Sequence, residues 1–138
     1  MIQSRDHPVI MDNPARFTGL SLAAVRLHFE AYTKECQARG ERDGISRRAC
    51  LVVDDEVLQI LAGAVAQSSA EVEVAHVVNR RACWVKTVEA WPDLDETHDD
   101  YDGSMKCSVS ALWRLWQWAS DPDPIAILMR DENGVYIG

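Results

Sequence analysis

The chain has 138 residues, of which 47% are hydrophobic and 26% are charged, so it has the size and composition of one globular domain. These proportions exclude global disorder, and the longest apolar runs fall short of the roughly 20 residues that a membrane-spanning helix needs. Acidic residues outnumber basic residues by 22 to 14, and the net charge of −8 argues against direct nucleic-acid binding. Residues 1–10 lack the apolar stretch of a signal peptide, so we expect a cytoplasmic protein.

The sequence divides into an N-terminal arm and one globular domain. Residues 1–20 contain Pro8, Pro14 and Gly19, which predict an extended arm. Residues 21–138 form the predicted domain, which includes an acidic loop at 93–103. This loop holds no Lys or Arg, and its acidic residues are Asp93, Asp95, Glu96, Asp99, Asp100 and Asp102. Such a loop either attracts a basic partner at a distance or simply keeps the surface soluble.

The clearest predicted helix follows Ser21, a residue type that often accepts a hydrogen bond from an unpaired backbone N–H at a helix start. Apolar residues then recur at steps of three and four on one stripe, namely Leu22, Val25, Phe29, Tyr32 and Cys36. The opposite side carries Arg26, Glu30, Thr33 and Gln37, and the helix ends at Gly40. A second helix is predicted from about Ser46, with Asp54 and Asp55 on its outer side and a buried stripe of Cys50, Val53, Val57, Ile60, Leu61 and Ala64.

Residues 71–91 are compatible with two structures. Ser68 and Glu71 fit a capping box, valines and tryptophans follow near helical spacing, and Pro92 ends the pattern, so we predict a helix. The β propensity of the same valines instead favours two strands that turn at Asn79–Arg80.

A fourth helix over Ser108–Ala119 and a turn at Asn133–Gly134 complete the predicted elements. The sequence therefore predicts a mainly α fold, with about four amphipathic helices in one compact domain and a short C-terminal β-hairpin. The alternative is an α+β fold with strands in 71–91.

The string Leu51–Glu56 places acidic residues directly after an apolar run. It resembles the first strand and acidic pair of the response-regulator receiver family, and residues 91–94 are similar to the Pro-Asp-Leu that opens the third strand of that family. The resemblance implies that Asp54 and Asp55 help to hold Mg²⁺ beside a phosphorylated Asp at Asp99 or Asp100. The sequence departs from the family at residues 95–98, which are too polar for a buried strand, and at Lys106, which comes too early for the family's lysine.

No other pattern points to catalysis or to a bound metal. The histidines are scattered along the chain, and so are the cysteines, at Cys36, Cys50, Cys83 and Cys107, so no close pair of ligands could begin a zinc site. The acidic loop lacks the terminal bidentate Glu of a calcium loop, and no Gly-rich phosphate loop or nucleophile motif occurs. We therefore expect a non-enzymatic protein with reduced cysteines, no cofactor and no metal.

The fourth predicted helix carries more apolar surface than one stripe can bury. At about 100° per residue, one face holds Val109, Leu112, Trp113 and Trp116. Leu115 and Trp118 point well away from that face, so the helix either lies inside its own core or offers a second face to a partner. Trp and Arg often dominate binding energy at protein interfaces, and Arg114 lies one turn before Trp118.

These patterns favour a small acidic regulator or inhibitor that masks a surface of a larger protein or blocks its self-association. Anti-activators, immunity proteins and anti-defence proteins belong to this general class. The predicted protein-binding residues are Trp113, Arg114, Leu115, Trp118, Asp99, Asp100 and Asp102. The same helix face suits a homodimer, and we expect no direct contact with nucleic acid or membrane. The alternative function is a receiver-like, Mg²⁺-dependent phospho-acceptor domain.

Overall fold

The computed structural model describes residues 9–41, 48–67, 82–94, 101–118, 125, 128 and 130–138. Within these ranges the helices are α1 (Pro14–Phe17), α2 (Leu22–Ala38), α3 (Asp55–Gln67) and α4 (Leu112–Trp118). The strands are β1 (Ala49–Val52), β2 (Trp84–Glu89), β3 (Ser104–Ser108) and β4 (Val135–Tyr136). A 3-10 turn at Val109–Ala111 joins β3 to α4.

The strands form one mixed sheet in the order β1-β2-β3-β4. β2 pairs antiparallel with both β1 and β3, whereas β4 pairs parallel with β3. The prediction of a mainly α fold is therefore wrong, and the fold is α+β. The predicted C-terminal hairpin is wrong as well, because β4 pairs with β3, and among the described residues only an isolated bridge joins Arg130 to Tyr136.

The helix predicted over 71–91 is wrong at residues 84–89, which form strand β2, while residues 71–81 lie outside the described residues. Every residue of this strand except Lys86 is buried, so its apolar run does not alternate between a core face and a solvent face. The spacing of such a run does not distinguish a buried strand from a buried helix, and here the β propensity of the valines prevails. β2 lies in the region where the alternative fold placed strands, whereas β3 was not predicted and a strand near Leu51 was implied only by the receiver resemblance. The capping box at 68–71 and the turn at 79–80 lie outside the described residues.

The second predicted helix begins later than Ser46, because residues 49–52 pair with β2 as strand β1. The helix starts at Asp55, and Asp54 Oδ1 accepts a hydrogen bond from Val57 N at 3.0 Å. Asp55 and Glu56 in the first turn add negative charge at the positive end of the helix dipole. Asp54 is therefore the N-cap of α3 rather than a residue on its outer side.

The prediction for α2 is confirmed in its position and its cap. Ser21 Oγ accepts a hydrogen bond from Ala24 N at 3.2 Å, and Phe29 and Cys36 are buried. The assignment of Thr33 to the outer side is wrong, because this residue is buried and its hydroxyl donates to Phe29 O at 2.9 Å.

Two polar residues that were placed on the outer side of α2 instead attach the helix to the end of β2. Arg26 Nε donates to Glu89 O at 3.1 Å, and Glu30 Oε1 accepts from Trp91 N at 2.9 Å. Gly103 lies under the same arginine with φ at +85°, and a Cβ there would come within 2.6 Å of Arg26 Nη2. This close approach requires glycine where the chain enters β3.

The core consists of two clusters that share the sheet. The first contains Met105, Cys107 and Tyr136 of the sheet together with Leu115 of α4. The second contains Trp84 and Val135 of the sheet together with Val57 of α3. Leu112 of α4 packs against both clusters, so this helix joins the two parts of the core. The two residues of β4 belong to different clusters.

Candidate functional site

A cleft of about 460 Å³ lies against β2 and β3, beside residues 130–134. Its volume is in the range of small-molecule sites, which is roughly 300–1,000 Å³. Three cationic side chains line it, namely Lys86, Lys106 and Arg130. In a chain with a net charge of −8, this concentration of positive charge marks the cleft as a candidate site.

Lys86 lines this basic cleft and is held by two carboxylates at the N-terminal end of α3. Its Nζ contacts Asp54 Oδ2 and lies 2.7 Å from Glu56 Oε2. The hydrogen bond from Lys86 lowers the pKa of Asp54, and the hydrogen bonds to both carboxylates raise the pKa of Lys86. The charge on Lys86 is thus balanced inside the protein, and the contact fixes the start of α3 against β2.

Lys106 lies directly opposite Lys86 in the antiparallel register of β2 and β3. Like charges in this arrangement repel one another, which makes the pair unfavourable unless each charge finds a partner. Lys106 Nζ lies 4.3 Å from the centroid of the Trp84 ring, a cation–π contact that balances only part of its charge. Within the described part of the chain, Lys106 forms no ion pair with a carboxylate.

Arg130, which also lines the cleft, is held in a similar way. Its Cζ lies 5.3 Å from the centroid of the Tyr101 ring, and it too forms no ion pair with a described carboxylate. The Tyr101 hydroxyl donates to Glu89 Oε2 at 2.8 Å, and Arg48 Nε lies 3.7 Å from Glu89 Oε1. Burial first, and the neighbouring Glu89 carboxylate second, raise the pKa of Tyr101 far above its usual value. Tyr101 is therefore a fixed, protonated donor whose ring supports Arg130.

Two of the cysteines, Cys50 and Cys107, are poor candidates for nucleophiles. Burial raises the pKa of Cys50 to about 11 and that of Cys107 to about 12, so both are protonated at neutral pH. Among the described residues, no group of three or more His, Cys, Asp or Glu side chains is placed to hold a metal ion.

The helix that carries the predicted docking residues is only partly exposed. Leu112, Leu115 and Trp116 follow an i, i+3, i+4 stripe that turns toward the core, and Leu115 is fully buried. The assignment of Leu115 to a second exposed face is therefore wrong. Trp113 lies off this stripe and is 72% exposed, and its neighbour Arg114 is exposed as well. The side chain of Trp118 lies outside the described part of the structure.

Of the acidic residues in the predicted site, Asp102 lies within the described ranges. Asp102 lines the basic cleft, where its Oδ1 accepts from Ser104 N at 2.9 Å and from Ser104 Oγ at 2.6 Å. Its backbone carbonyl accepts a hydrogen bond from Arg26 Nη2 at 2.5 Å. Asp99 and Asp100 lie outside the described residues.

The receiver resemblance does not extend to the fold. It implies a parallel sheet, whereas β2 runs antiparallel to both of its neighbours, β1 and β3. Asp54, which the resemblance places at a Mg²⁺ site, instead caps α3 and contacts Lys86.

Sequence reasoning missed the basic cleft because its residues are far apart in the chain. Lys86 and Lys106 are single lysines within apolar strands, and only the register of β2 and β3 brings them together. One available signal was the acidic run 54–56, which is typical of a helix start and would have moved α3 to its true position.

None of the helices in the described ranges combines the length and the hydropathy that crossing a bilayer requires. Comparisons of the chain with protein-family models, with curated proteins and with solved structures found no match.

Proposed function

We propose that this protein is a small, non-enzymatic, cytoplasmic regulator that binds a larger protein, with Trp113 at the centre of its docking surface. The observation that carries the proposal is the 72% exposure of the Trp113 side chain. Tryptophan is highly buried on average, and it is enriched among the residues that dominate interface energies. Val109, in the 3-10 turn before α4, is 40% exposed and extends the apolar surface.

The charges suggest the chemistry of the partner. A net charge of −8 steers the protein toward a basic surface, while Trp113 needs an apolar pocket to fill. We therefore propose a partner with an apolar pocket in a basic surround. Exposed Arg114, beside Trp113, would meet a carboxylate or carbonyl at the edge of that pocket.

The experiment compares three forms of the immobilised protein in extracts of its native cells: wild type, Trp113→Ala and Leu27→Ala. Leu27 is the matched control, because it is 68% exposed on α2 and its loss removes a similar apolar surface elsewhere. A protein captured by wild type is then purified and its affinity for each form is measured. We expect Trp113→Ala to weaken binding at least roughly tenfold, which corresponds to a hot-spot residue, and Leu27→Ala to leave it unchanged.

Two results would contradict the proposal. If Trp113→Ala and Leu27→Ala bind the partner as wild type does, Trp113 is not part of the docking surface. If wild type sediments as a dimer and Trp113→Ala as a monomer, the surface pairs two copies of this chain instead of binding a larger protein.

A further inference from the structure

The basic cleft presents polar groups for which the described part of the fold provides no anionic partner. Lys106 and Arg130 have aromatic rings beneath them but no described carboxylate partner. Asn133 also lines the cleft, and within the described residues its backbone N–H forms a hydrogen bond whereas its side-chain amide forms none. Half-buried cations without an anionic partner lose hydration that a ring face only partly replaces, so an anion from outside would complete their environment.

We propose that this cleft binds a small molecule that carries a phosphate group, held by Lys106, Arg130 and Asn133. Lys106 comes from β3, and Arg130 and Asn133 come from the segment that precedes β4, so the cleft brings together donors from two parts of the chain. A phosphate has three terminal oxygens that can each meet one donor, whereas a carboxylate has two. Arg and Lys are the side chains that most often bind phosphate in proteins.

The surrounding contacts hold these donors in place before a ligand arrives. Trp84 supports Lys106, and Tyr101 supports Arg130 through a ring whose hydroxyl is fixed on buried Glu89. Preorganised donors lose less conformational entropy on binding than mobile ones do. The Asp131–Gly134 turn orients Asn133, because Asp131 Oδ1 accepts its backbone N–H at 2.9 Å.

One side chain that lines the cleft, Asp102, carries a negative charge that repels a bound anion. Removing this charge should strengthen phosphate binding, whereas removing a cation should weaken it. Asp102 lines the cleft, and its Oδ1 is occupied by Ser104. An asparagine at this position keeps an oxygen for Ser104 and removes the negative charge. Phosphate binding should therefore tighten a few-fold in Asp102→Asn, because a like charge near the bound anion has been removed.

The experiment measures binding of inorganic phosphate and of phenyl phosphate by calorimetry and by NMR chemical shifts. We expect saturable binding in the millimolar range or tighter for wild type. Lys106→Gln and Arg130→Gln should each weaken it roughly tenfold or more, the value of one charged hydrogen bond. The matched control is Lys34→Gln, which removes the same charge from an exposed position on α2 and should leave binding unchanged.

Each other outcome would overturn the proposal. Absence of saturable binding by wild type, or equal weakening by Lys34→Gln, would mean that the cleft is not a specific site. Benzoate binding as tight as that of phenyl phosphate would exclude the phosphate class. Circular dichroism checks that each variant is folded, and if Lys106→Gln is not, Arg130→Gln and Asp102→Asn decide the outcome. The residues involved differ from those of the docking surface, so failure here leaves the proposed function standing.

Discussion

The substitution Leu115→Ala tests the orientation of α4, on which the placement of the docking surface depends. Leu115 is 0% exposed and belongs to the cluster that contains Cys107, Ala111 and Tyr136. Replacing a fully buried leucine by alanine removes transfer free energy and leaves a cavity, and such changes cost about 2–5 kcal/mol. We expect about 3 kcal/mol, which for a domain of this size lowers Tm by roughly 10 °C.

The assay is urea denaturation followed by circular dichroism, with the free energy of unfolding extrapolated to water. Trp113→Ala is the matched control on the same helix, because its side chain is 72% exposed and its loss should change the free energy of unfolding by no more than about 0.5 kcal/mol. The reasoning is refuted if Leu115→Ala costs under about 1 kcal/mol, or if Trp113→Ala costs as much as Leu115→Ala. Either result would mean that α4 turns a different side toward the sheet.

Three further predictions concern polar groups in and around the sheet. Thr87 is 2% exposed, and its hydroxyl has no hydrogen-bond partner among the described residues. Thr87→Val should therefore raise the urea midpoint, with a gain of about 1 kcal/mol in the free energy of unfolding. A lower midpoint would show that the hydroxyl forms a hydrogen bond. Asp54→Ala removes the cap of α3 and should lower the free energy of unfolding by about 1 kcal/mol. Asp54→Asn keeps an oxygen for Val57 N and should lower it less, because the half-exposed ion pair with Lys86 contributes only a few tenths of a kcal/mol. Equal losses in the two variants would exclude a capping role. Because the pKa of Tyr101 is raised, the folded state keeps a proton that the unfolded state releases above about pH 10. The contribution of Tyr101 to stability is therefore complete below that pH and is lost as the pH rises further. Wild type should therefore lose more stability than Tyr101→Phe between about pH 9 and about pH 11, and parallel losses in urea midpoints would contradict this.

The sequence predicted α2 well because the signals for that helix are local. Ser21 caps the first turn, and the apolar stripe includes Phe29 and Cys36, which are buried. The same spacing misplaced Thr33, because a threonine that satisfies its own hydroxyl on the preceding turn can lie in a core. Local rules located the helix but did not fix every residue on its surface.

The sheet could not be predicted with the same success, because its pattern depends on what covers each face. β2 is buried on both faces, so a period of two is absent from its sequence. The pairing of β4 could not be predicted from the sequence either, because its parallel partner β3 is separated from it in the chain by a helix. The basic cleft depends on the register of β2 and β3, so it could not be predicted from the sequence either.

β4 is the shortest strand, yet its two residues contribute to both clusters of the core. Val135 and Tyr136 are adjacent, yet one lies in the cluster that contains Val57 and the other in the cluster that contains Leu115. Any fluctuation that detaches this dipeptide opens both clusters at once. The two halves of the hydrophobic interior should therefore melt in a single cooperative transition, with neither half persisting as a partly folded intermediate.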